Sequence, residues 1–192
     1  MNVTALLLVA GAYLLGSLSS AILVARLTGL PDPRSTGSRN PGATNMMRIG
    51  GKRAAAITLL GDLLKGLLPV LAATALGAPE TVRLLVAMAA FLGHLYPLYF
   101  GFQGGKGVAT AMGVLLGLDW RVALVALGIW LAMFAWRRIS SLSALTATAA
   151  TPWVIWALTH SEPFLLFGIA LAVLIFWRHR RNIRQLLDGT ER

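Results

Sequence analysis

The sequence contains no cysteine, so it offers no disulfide, no thiolate nucleophile and no cysteine-ligated metal site. Charge is scarce as well, because only 12% of its 192 residues are Asp, Glu, Lys or Arg, about half the share of a soluble domain. The His-x-x-x-His and Glu-x-x-His spacings of common metal sites are also missing. We therefore expect neither a bound metal nor a cofactor.

Apolar runs make up most of the chain, with 57% hydrophobic residues and a mean hydropathy of +0.72. A transmembrane helix needs about 20 apolar residues, and we place spans at Thr4–Leu27, Ala54–Leu76, Thr81–Tyr99, Val108–Leu118, Arg121–Trp136, Leu142–Leu158 and Pro163–Trp177. The sequence thus predicts an all-α integral membrane protein of about seven transmembrane helices, forming a single catalytic domain over residues 1–192. The first run is too long for a signal-peptide core, which spans roughly 7–15 residues, so we expect a retained span. The fourth span is predicted to be a half-helix or to be completed by Asp119 and Trp120.

The basic residues predict the orientation. Two of them, Arg83 and Arg121, fall on one side of the seven-span arrangement, and Lys65 falls inside a span. The other fourteen share the opposite side: Arg26, Arg34, Arg39, Arg48, Lys52, Arg53, Lys106, Arg137, Arg138, Arg178, Arg180, Arg181, Arg184 and Arg192. The positive-inside rule makes that side cytoplasmic, with the N-terminus outside and the C-terminus inside. It also accounts for the net charge of +10, and no nucleic acid partner is expected.

Four polar stretches lie on the predicted cytoplasmic side: residues 34–48, 101–110, 137–143 and 177–192. Three of them are rich in residue types that bind anions. We therefore expect the four to converge on one shared site, with short half-helices at this face.

The stretch "QGGKGVAT" is similar to a phosphate-binding loop, although its spacing is not that of a nucleotide-binding P-loop. Phe100 stands where the first glycine belongs, and Gly107 stands where Ser or Thr would bind magnesium. Glycines such as Gly105 let a backbone approach a ligand closely, and the following helix start offers N–H groups to an anion. Lys106 adds a full charge. The alternative is a membrane turn carrying a positive-inside lysine.

The first polar stretch, "RSTGSRNPGATNMMR", combines hydroxyl, amide and guanidinium groups. Ser38, Asn45 and Arg48 supply one of each, and the Pro-Gly pair predicts a turn followed by a helix start. In the tail, His179, Asn182 and Arg184 are expected on one face of a helical extension. The alternatives are a polar loop with basic flanks and a basic tail that flanks the membrane.

Three ionisable residues lie within or near the spans. Asp62 and Lys65 are spaced i, i+3, which allows an ion pair on one helix face. We interpret them as a structural pair or as support for the site, with direct catalysis as the alternative. His94 is expected to be a hydrogen-bonded interfacial histidine rather than a metal ligand.

Two function classes remain. One is an organic-anion transporter with broken helices whose N-termini face the substrate, and the other is a membrane enzyme acting on phosphate-bearing substrates. The sequence shows no internal repeat and few polar residues on the predicted outer side. These observations favour the enzyme.

Three segments carry a resemblance to a known family: "GSRNPGATNMMR", "GHLYPLYFGFQGGKGVATAMG" and "RHRRNIRQLLDGTE". They resemble the signature regions of the bacterial acyl-phosphate-dependent glycerol-3-phosphate acyltransferases, the PlsY family. The resemblance implies transfer of a fatty acyl group from acyl phosphate to the sn-1 hydroxyl of glycerol 3-phosphate. The products would be lysophosphatidic acid and phosphate, in the first step of phospholipid synthesis. It also implies a monomer in contact with membrane lipid, located in the bacterial inner membrane with its active site facing the cytoplasm.

The resemblance also assigns residues. It implies catalytic roles for Lys106, His179 and Asn45, and it implies substrate binding by Ser38, Arg48, Gly105, Gly107, Ser141 and Asn182. Arg39 departs from the family, in which a smaller residue is common, and is kept as secondary. Ser143 is a weaker candidate than Ser141.

The expected mechanism rests on the absence of a catalytic motif and on the reactivity of the donor. Acyltransferases that use thioester donors for this step typically carry His-x-x-x-x-Asp, but here the fifth residue after His94, His160 and His179 is Tyr99, Leu165 and Arg184, respectively. An acyl phosphate is already activated, so positioning and charge stabilisation can supply most of the catalysis. We expect direct attack by the glycerol hydroxyl, with a substrate phosphate oxygen as proton acceptor. His179 as general base is the competing assignment.

Overall fold

The computed structural model describes residues 2–191, and within that range the chain is helical without a β-strand. The helices are α1 (Val3–Gly16), α2 (Ser20–Thr28), α3 (Ala43–Ala75), α4 (Glu80–Leu95), α5 (Val108–Leu118), α6 (Trp120–Arg137), α7 (Ser140–Thr159), α8 (Glu162–Arg178) and α9 (Arg180–Leu187), with a 3₁₀ helix at Leu98–Phe100. The chain divides into two compact units, one ending at Leu118 and one beginning at Asp119. The first unit holds α1–α5 and the second holds α6–α9. Arg192, one of the basic residues used for the orientation, lies outside the described residues.

Several helices have the length and composition of membrane spans. Within residues 2–191, four meet both criteria alone: α3, α4 together with the 3₁₀ helix, α6 and α7. The bent pairs α1/α2 (42°) and α8/α9 (63°) bring the number to six if each pair forms one span. Helix α5 is apolar but only 11 residues long. The all-α architecture is thus confirmed, whereas the count of seven spans stays a prediction.

The first predicted span is a broken helix rather than one continuous helix. Helix α1 ends at Gly16, where the Ser17 hydroxyl donates to the Tyr13 carbonyl (2.8 Å). A break inside an apolar environment exposes carbonyls that need a partner. The Lys65 ammonium supplies it by donating to the Leu18 carbonyl at 2.7 Å.

Helix α3 begins directly after the Pro41-Gly42 turn, as predicted from the sequence, and it is kinked near its start. The kink lies at Gly51, whose φ of 74° and ψ of −169° are not helical. Glycine reaches this left-handed φ without the steric cost of a side chain. A short helical segment, residues 43–50, therefore precedes the longer apolar part of α3.

Helix α5 has the bounds predicted for the fourth span, but it is not extended by Asp119 and Trp120. That alternative is wrong because Asp119 is the N-cap of α6 and accepts from the backbone N–H of Arg121 at 2.9 Å. The Arg121 guanidinium, 2.6 Å from the same carboxylate, holds the pKa of Asp119 below its usual range. A capping side chain committed to α6 ends α5 at Leu118.

Small residues bring α5 close to α3. A Cβ atom at Gly113 would meet the backbone carbonyl of Leu63, so only glycine fits there. In the first turn of α5, the buried Thr110 hydroxyl donates to the Asp62 carbonyl at 2.9 Å. These contacts fix the start of α5, and hence the end of the glycine-rich loop, against α3.

Candidate active site

Asn45 organises the first polar loop. Its Oδ1 accepts from the backbone N–H of Ser38 (2.9 Å), and its Nδ2 donates to the carbonyls of Pro33 (2.9 Å) and Thr36 (3.0 Å). Asn45 is 1% exposed, whereas Ser38 is exposed. The geometry therefore makes Asn45 a positioning residue that shapes the loop presenting Ser38. Its predicted part in catalysis stays a prediction.

An ion pair fixes the start of the same loop. The Arg34 guanidinium lies 2.7 Å from the Asp32 carboxylate and holds the pKa of that carboxyl below its usual range. Its Nη1 also donates to the Phe100 carbonyl at 3.3 Å. Because Phe100 ends the 3₁₀ helix just before the glycine-rich loop, Arg34 links the two predicted binding loops.

The glycine-rich loop lies against the end of α4. The backbone N–H of Gly105 donates to the His94 carbonyl at 3.2 Å. A Cβ atom at Gly105 would meet Nε2 of His94 and would lie 2.9 Å from the Pro41 carbonyl oxygen. Gly107 has a φ of +88°, and a Cβ there would meet the Phe91 ring. Glycine is thus required at both positions by close packing, and at Gly107 by its backbone conformation as well.

Two predicted cationic residues lie on these elements. Lys106 is half-buried between the two required glycines, and Arg48 is exposed on the short segment of α3 that also carries Asn45. The first unit therefore contains six of the predicted site residues on two linked loops and one short helix: Ser38, Asn45, Arg48, Gly105, Lys106 and Gly107.

Arg39 shows why a smaller residue suits its position. Its φ is +58°, which lies in the left-handed region. That conformation costs a residue with a side chain roughly 1–2 kcal/mol. Arg39 is exposed at the surface of the loop, as Ser38 is, and its secondary place among the predicted residues stays a prediction.

A buried ionisable cluster lies within the first unit. Lys65 Nζ is 2.8 Å from Asp62 Oδ1, which confirms the ion pair predicted from the i, i+3 spacing. His94 Nδ1 lies 3.6 Å from the same oxygen, within electrostatic contact but beyond hydrogen-bond distance. His94 is only 6% exposed. It therefore lies inside the helix packing, where the sequence had suggested an interfacial position.

Glu191 joins two predicted site residues in the second unit. Its Oε1 accepts from the Ser141 hydroxyl at 2.5 Å and from Nδ2 of Asn182 at 2.6 Å. A carboxylate acceptor makes both bonds stronger than neutral ones. Glu191 was not predicted as a site residue, although it is the last residue of the "RHRRNIRQLLDGTE" segment. An acidic residue in so basic a tail was the available signal.

His179 lies at the bend between α8 and α9. It is 2% exposed, and its Nδ1 is 2.9 Å from the Ile175 carbonyl oxygen. Because that oxygen can only accept, Nδ1 carries the proton, and the lone pair of the neutral ring is on Nε2. The predicted helical extension is present as α9, with His179 as its N-cap residue and Asn182 within it, and the His179 carbonyl accepts from the Ile183 N–H at 2.9 Å.

Each unit thus presents an ordered set of polar side chains next to long apolar helices. Fold and loops together define an all-α integral membrane protein whose polar residues suit anionic, phosphate-bearing molecules.

Comparison with known proteins identifies the family. The sequence model described as Glycerol-3-phosphate acyltransferase matches residues 6–189. A glycerol-3-phosphate acyltransferase from Thioalkalivibrio sulfidiphilus is 63% identical over 184 residues, which cover 96% of this chain and 91% of that protein. The protein of the same name from Methylococcus capsulatus is 51% identical over 185 residues, covering 96% and 93%. The chain belongs to the glycerol-3-phosphate acyltransferase family.

Solved structures agree with this assignment. A crystal structure of PlsY, an integral membrane glycerol 3-phosphate acyltransferase in its glycerol 3-phosphate form, matches with a TM-score of 0.94 and 42% identity, covering 98% of this chain and 94% of that one. The lysophosphatidic acid form of PlsY matches with a TM-score of 0.90 and 39% identity over the same shares.

Proposed function

We propose that the protein transfers a fatty acyl group from acyl phosphate to the sn-1 hydroxyl of glycerol 3-phosphate. The products are lysophosphatidic acid and phosphate, and the reaction begins phospholipid synthesis. The observation that carries the proposal is the glycine-rich loop, whose backbone is packed against α4 directly before the start of α5, with Lys106 between two required glycines. Such a loop and helix start suit a single phosphate group. Membership of the acyltransferase family supports the reaction class.

We divide the predicted site residues between the two substrates. We assign the glycine-rich loop and the first loop, with Gly105, Gly107 and Ser38, mainly to the acyl phosphate. Arg48, Lys106, Ser141, His179 and Asn182 are assigned mainly to glycerol 3-phosphate. Of the three residues with predicted catalytic roles, Lys106 stabilises developing charge and His179 contacts glycerol 3-phosphate, while Asn45 acts by holding the first loop in shape.

The reaction proceeds by direct attack. The sn-1 oxygen forms a bond to the acyl carbon as the bond from that carbon to the phosphate oxygen breaks. The hydroxyl proton passes to a substrate phosphate oxygen, and inorganic phosphate leaves. The missing His-x-x-x-x-Asp motif supports this route. A covalent acyl-enzyme, detected by mass spectrometry after incubation with the donor alone, would contradict it.

A second assignment makes His179 the general base. The Nδ1 contact with Ile175 favours it, because it leaves the lone pair on Nε2, where a substrate proton could be accepted. Removing a general base typically costs 10²–10⁴-fold in rate. Near-normal turnover of His179→Gln at saturating substrate would eliminate this assignment.

The topology belongs to the same proposal. Counting α1/α2 and α8/α9 as one span each and α5 as a short one gives seven, with the N-terminus outside and the C-terminus in the cytoplasm. The distribution of basic residues supports this orientation. The enzyme is then a monomeric, single catalytic domain in the bacterial inner membrane, and its active site faces the cytoplasm.

An assay of the purified protein with two donors tests the function. We expect lysophosphatidic acid and phosphate to form from glycerol 3-phosphate and acyl phosphate, with no product from acyl-CoA. Activity with the thioester alone would overturn the donor assignment. Anion uptake into vesicles without any acyl transfer would favour the transporter.

A further inference from the structure

The cluster of Asp62, Lys65 and His94 has no part in the reaction as derived above, yet it adjoins the glycine-rich loop. We propose that His94, held in place by Asp62 and Lys65, is a positioning residue that sets the shape of this loop and its affinity for the donor phosphate. The inference rests on the proposed function, in which the loop binds the acyl phosphate.

His94 contacts the loop through its backbone and its side chain. The His94 carbonyl accepts from the N–H of Gly105 at 3.2 Å. The imidazole lies so close to Gly105 that a Cβ added there would meet Nε2 and would lie 2.9 Å from Cε1. Any shift of the imidazole therefore changes the space available to the residue preceding Lys106.

Asp62 holds both ends of the segment that contains Lys106. Its carboxylate lies 3.6 Å from Nδ1 of His94, the residue that contacts Gly105, and its backbone carbonyl accepts from the Thr110 hydroxyl in the first turn of α5. The first contact lies next to the glycine-rich loop and the second at the start of α5, and this loop with its helix start is the arrangement that suits a phosphate group. One residue of α3 thus restrains both.

Lys65 keeps the Asp62 carboxylate in this position. It lies 2.8 Å from that carboxylate and donates to the Leu18 carbonyl at 2.7 Å, so its ammonium is fixed by the break between α1 and α2. Asp62 and Lys65 are nearly fully buried. A buried charge must be paired, and here the pairing also fixes where the carboxylate meets His94.

The test is a double-mutant cycle at Gly105 and His94 with a matched glycine as control. The readout is binding of a fatty β-ketophosphonate, in which a methylene replaces the bridging oxygen of acyl phosphate, measured by calorimetry on the detergent-solubilised protein. We expect Gly105→Ala and His94→Ala each to weaken binding by tenfold or more. The double variant should bind at least about fivefold better than the product of the two losses predicts. Removing the imidazole relieves the closest contact of the added methyl and leaves only the Pro41 carbonyl oxygen, 2.9 Å away, to be accommodated.

Gly104 supplies the control. A Cβ there would meet the backbone carbonyls of His94 and Leu95 rather than a side chain. The losses from Gly104→Ala and His94→Ala should therefore multiply. Multiplicative losses in the Gly105 cycle as well would overturn the proposal, since they would show that the imidazole does not shape the loop.

Steady-state kinetics separates positioning from folding. His94→Asn, which keeps a polar group of smaller size, should raise KM for acyl phosphate by a larger factor than KM for glycerol 3-phosphate, which Lys106 of the same loop contacts together with residues outside the loop. A lowered melting temperature with unchanged donor KM and unchanged analogue binding would make the cluster purely structural and would contradict the proposal.

The same variants distinguish this inference from the proposed function. A wild-type protein that binds the analogue and shows the Gly105 coupling, but transfers no acyl group, would reject the function and keep the positioning role. A wild-type protein that transfers the acyl group without coupling between Gly105 and His94 would keep the function and reject the positioning role.

Discussion

At the scale of single residues, one carboxylate oxygen holds two predicted substrate-binding side chains of the second unit. Glu191 Oε1 accepts from both Ser141 and Asn182, which lie on α7 and α9. The bonds hold two side chains assigned to glycerol 3-phosphate, although Glu191 itself is near the end of the chain. A residue with this arrangement acts through its neighbours.

Glu191→Ala should therefore lower kcat/KM for glycerol 3-phosphate by about tenfold or more, because two charge-assisted hydrogen bonds, each typically worth about 1.5–3 kcal/mol, are lost. Initial rates at varied glycerol 3-phosphate give the measurement. Asp188→Ala is the matched control, since this exposed carboxylate lies three positions earlier in the same tail. Equal effects of the two substitutions would argue against a specific role for Glu191.

Asn45 shows how much of a single residue's role can be predicted before the structure is known. Asn45 was predicted from its segment, but its partners Pro33 and Thr36 lie 12 and 9 positions away and are backbone carbonyls with no sequence signature. The residue could be selected from the sequence, whereas its positioning role required the fold.

At the scale of elements, the packing of α5 on α3 decides where the glycine-rich loop ends. Gly113 faces backbone atoms of Leu63 and Leu67 on α3. Backbone atoms cannot move away from an added side chain unless α3 itself shifts. Gly128 on α6 is a contrasting case, because a Cβ there would meet nothing within 4 Å.

Gly113→Ala should destabilise the protein by about 1–3 kcal/mol, the usual cost of forcing an extra methyl into a packed core. It should also weaken donor binding, because α5 carries the start of the helix next to the loop. Gly128→Ala should leave stability unchanged or raise it by up to about 1 kcal/mol, since alanine favours a helix. Thermal unfolding followed by circular dichroism in detergent compares the two, and equal shifts would contradict the close-packing argument.

Helix ends provide a second test at this scale. Arg138 follows α6 with a φ of +56°, and its N–H donates to the Phe134 carbonyl at 2.9 Å. Glycine is favoured at such a left-handed cap. Arg138→Gly should thus raise stability by about 1 kcal/mol, while Arg137→Gly, one position earlier and helical, should lower it by up to about 1 kcal/mol. The same unfolding assay measures both, and a loss at Arg138 would refute the cap argument.

At the scale of the whole molecule, the charge distribution predicts the orientation. Because the chain has no cysteine, single cysteines can be introduced and labelled without background. Glu162 and Asp188 are exposed positions at opposite ends of the α8/α9 pair. We expect a membrane-impermeant thiol reagent on intact cells to label Glu162→Cys but not Asp188→Cys.

Permeabilised cells are the control, because both cysteines should then react. Labelling of Asp188→Cys in intact cells would reverse the proposed orientation and place the basic side outside. Reaction at both positions in intact cells would show that α8/α9 does not form one span.

The sequence by itself determined the helices and one of the contacts. Apolar runs predicted the bounds of α5, α6, α7 and α8 to within a few residues, because a membrane segment must satisfy its backbone internally and keep charge out. The i, i+3 spacing also predicted the pair of Asp62 and Lys65. All of these features depend on neighbours close in sequence.

The tertiary structure alone decided how distant segments meet. It broke the first span at Ser17, brought the imidazole of His94 against Gly105, and joined Ser141 to Glu191 across 50 positions. The physical reason is that local spacing determines which face of a helix is polar or small, whereas the partner of that face depends on how the helices pack. At Gly105, close packing made possible by glycine selected His94 as the partner, and the sequence shows that glycine only as composition.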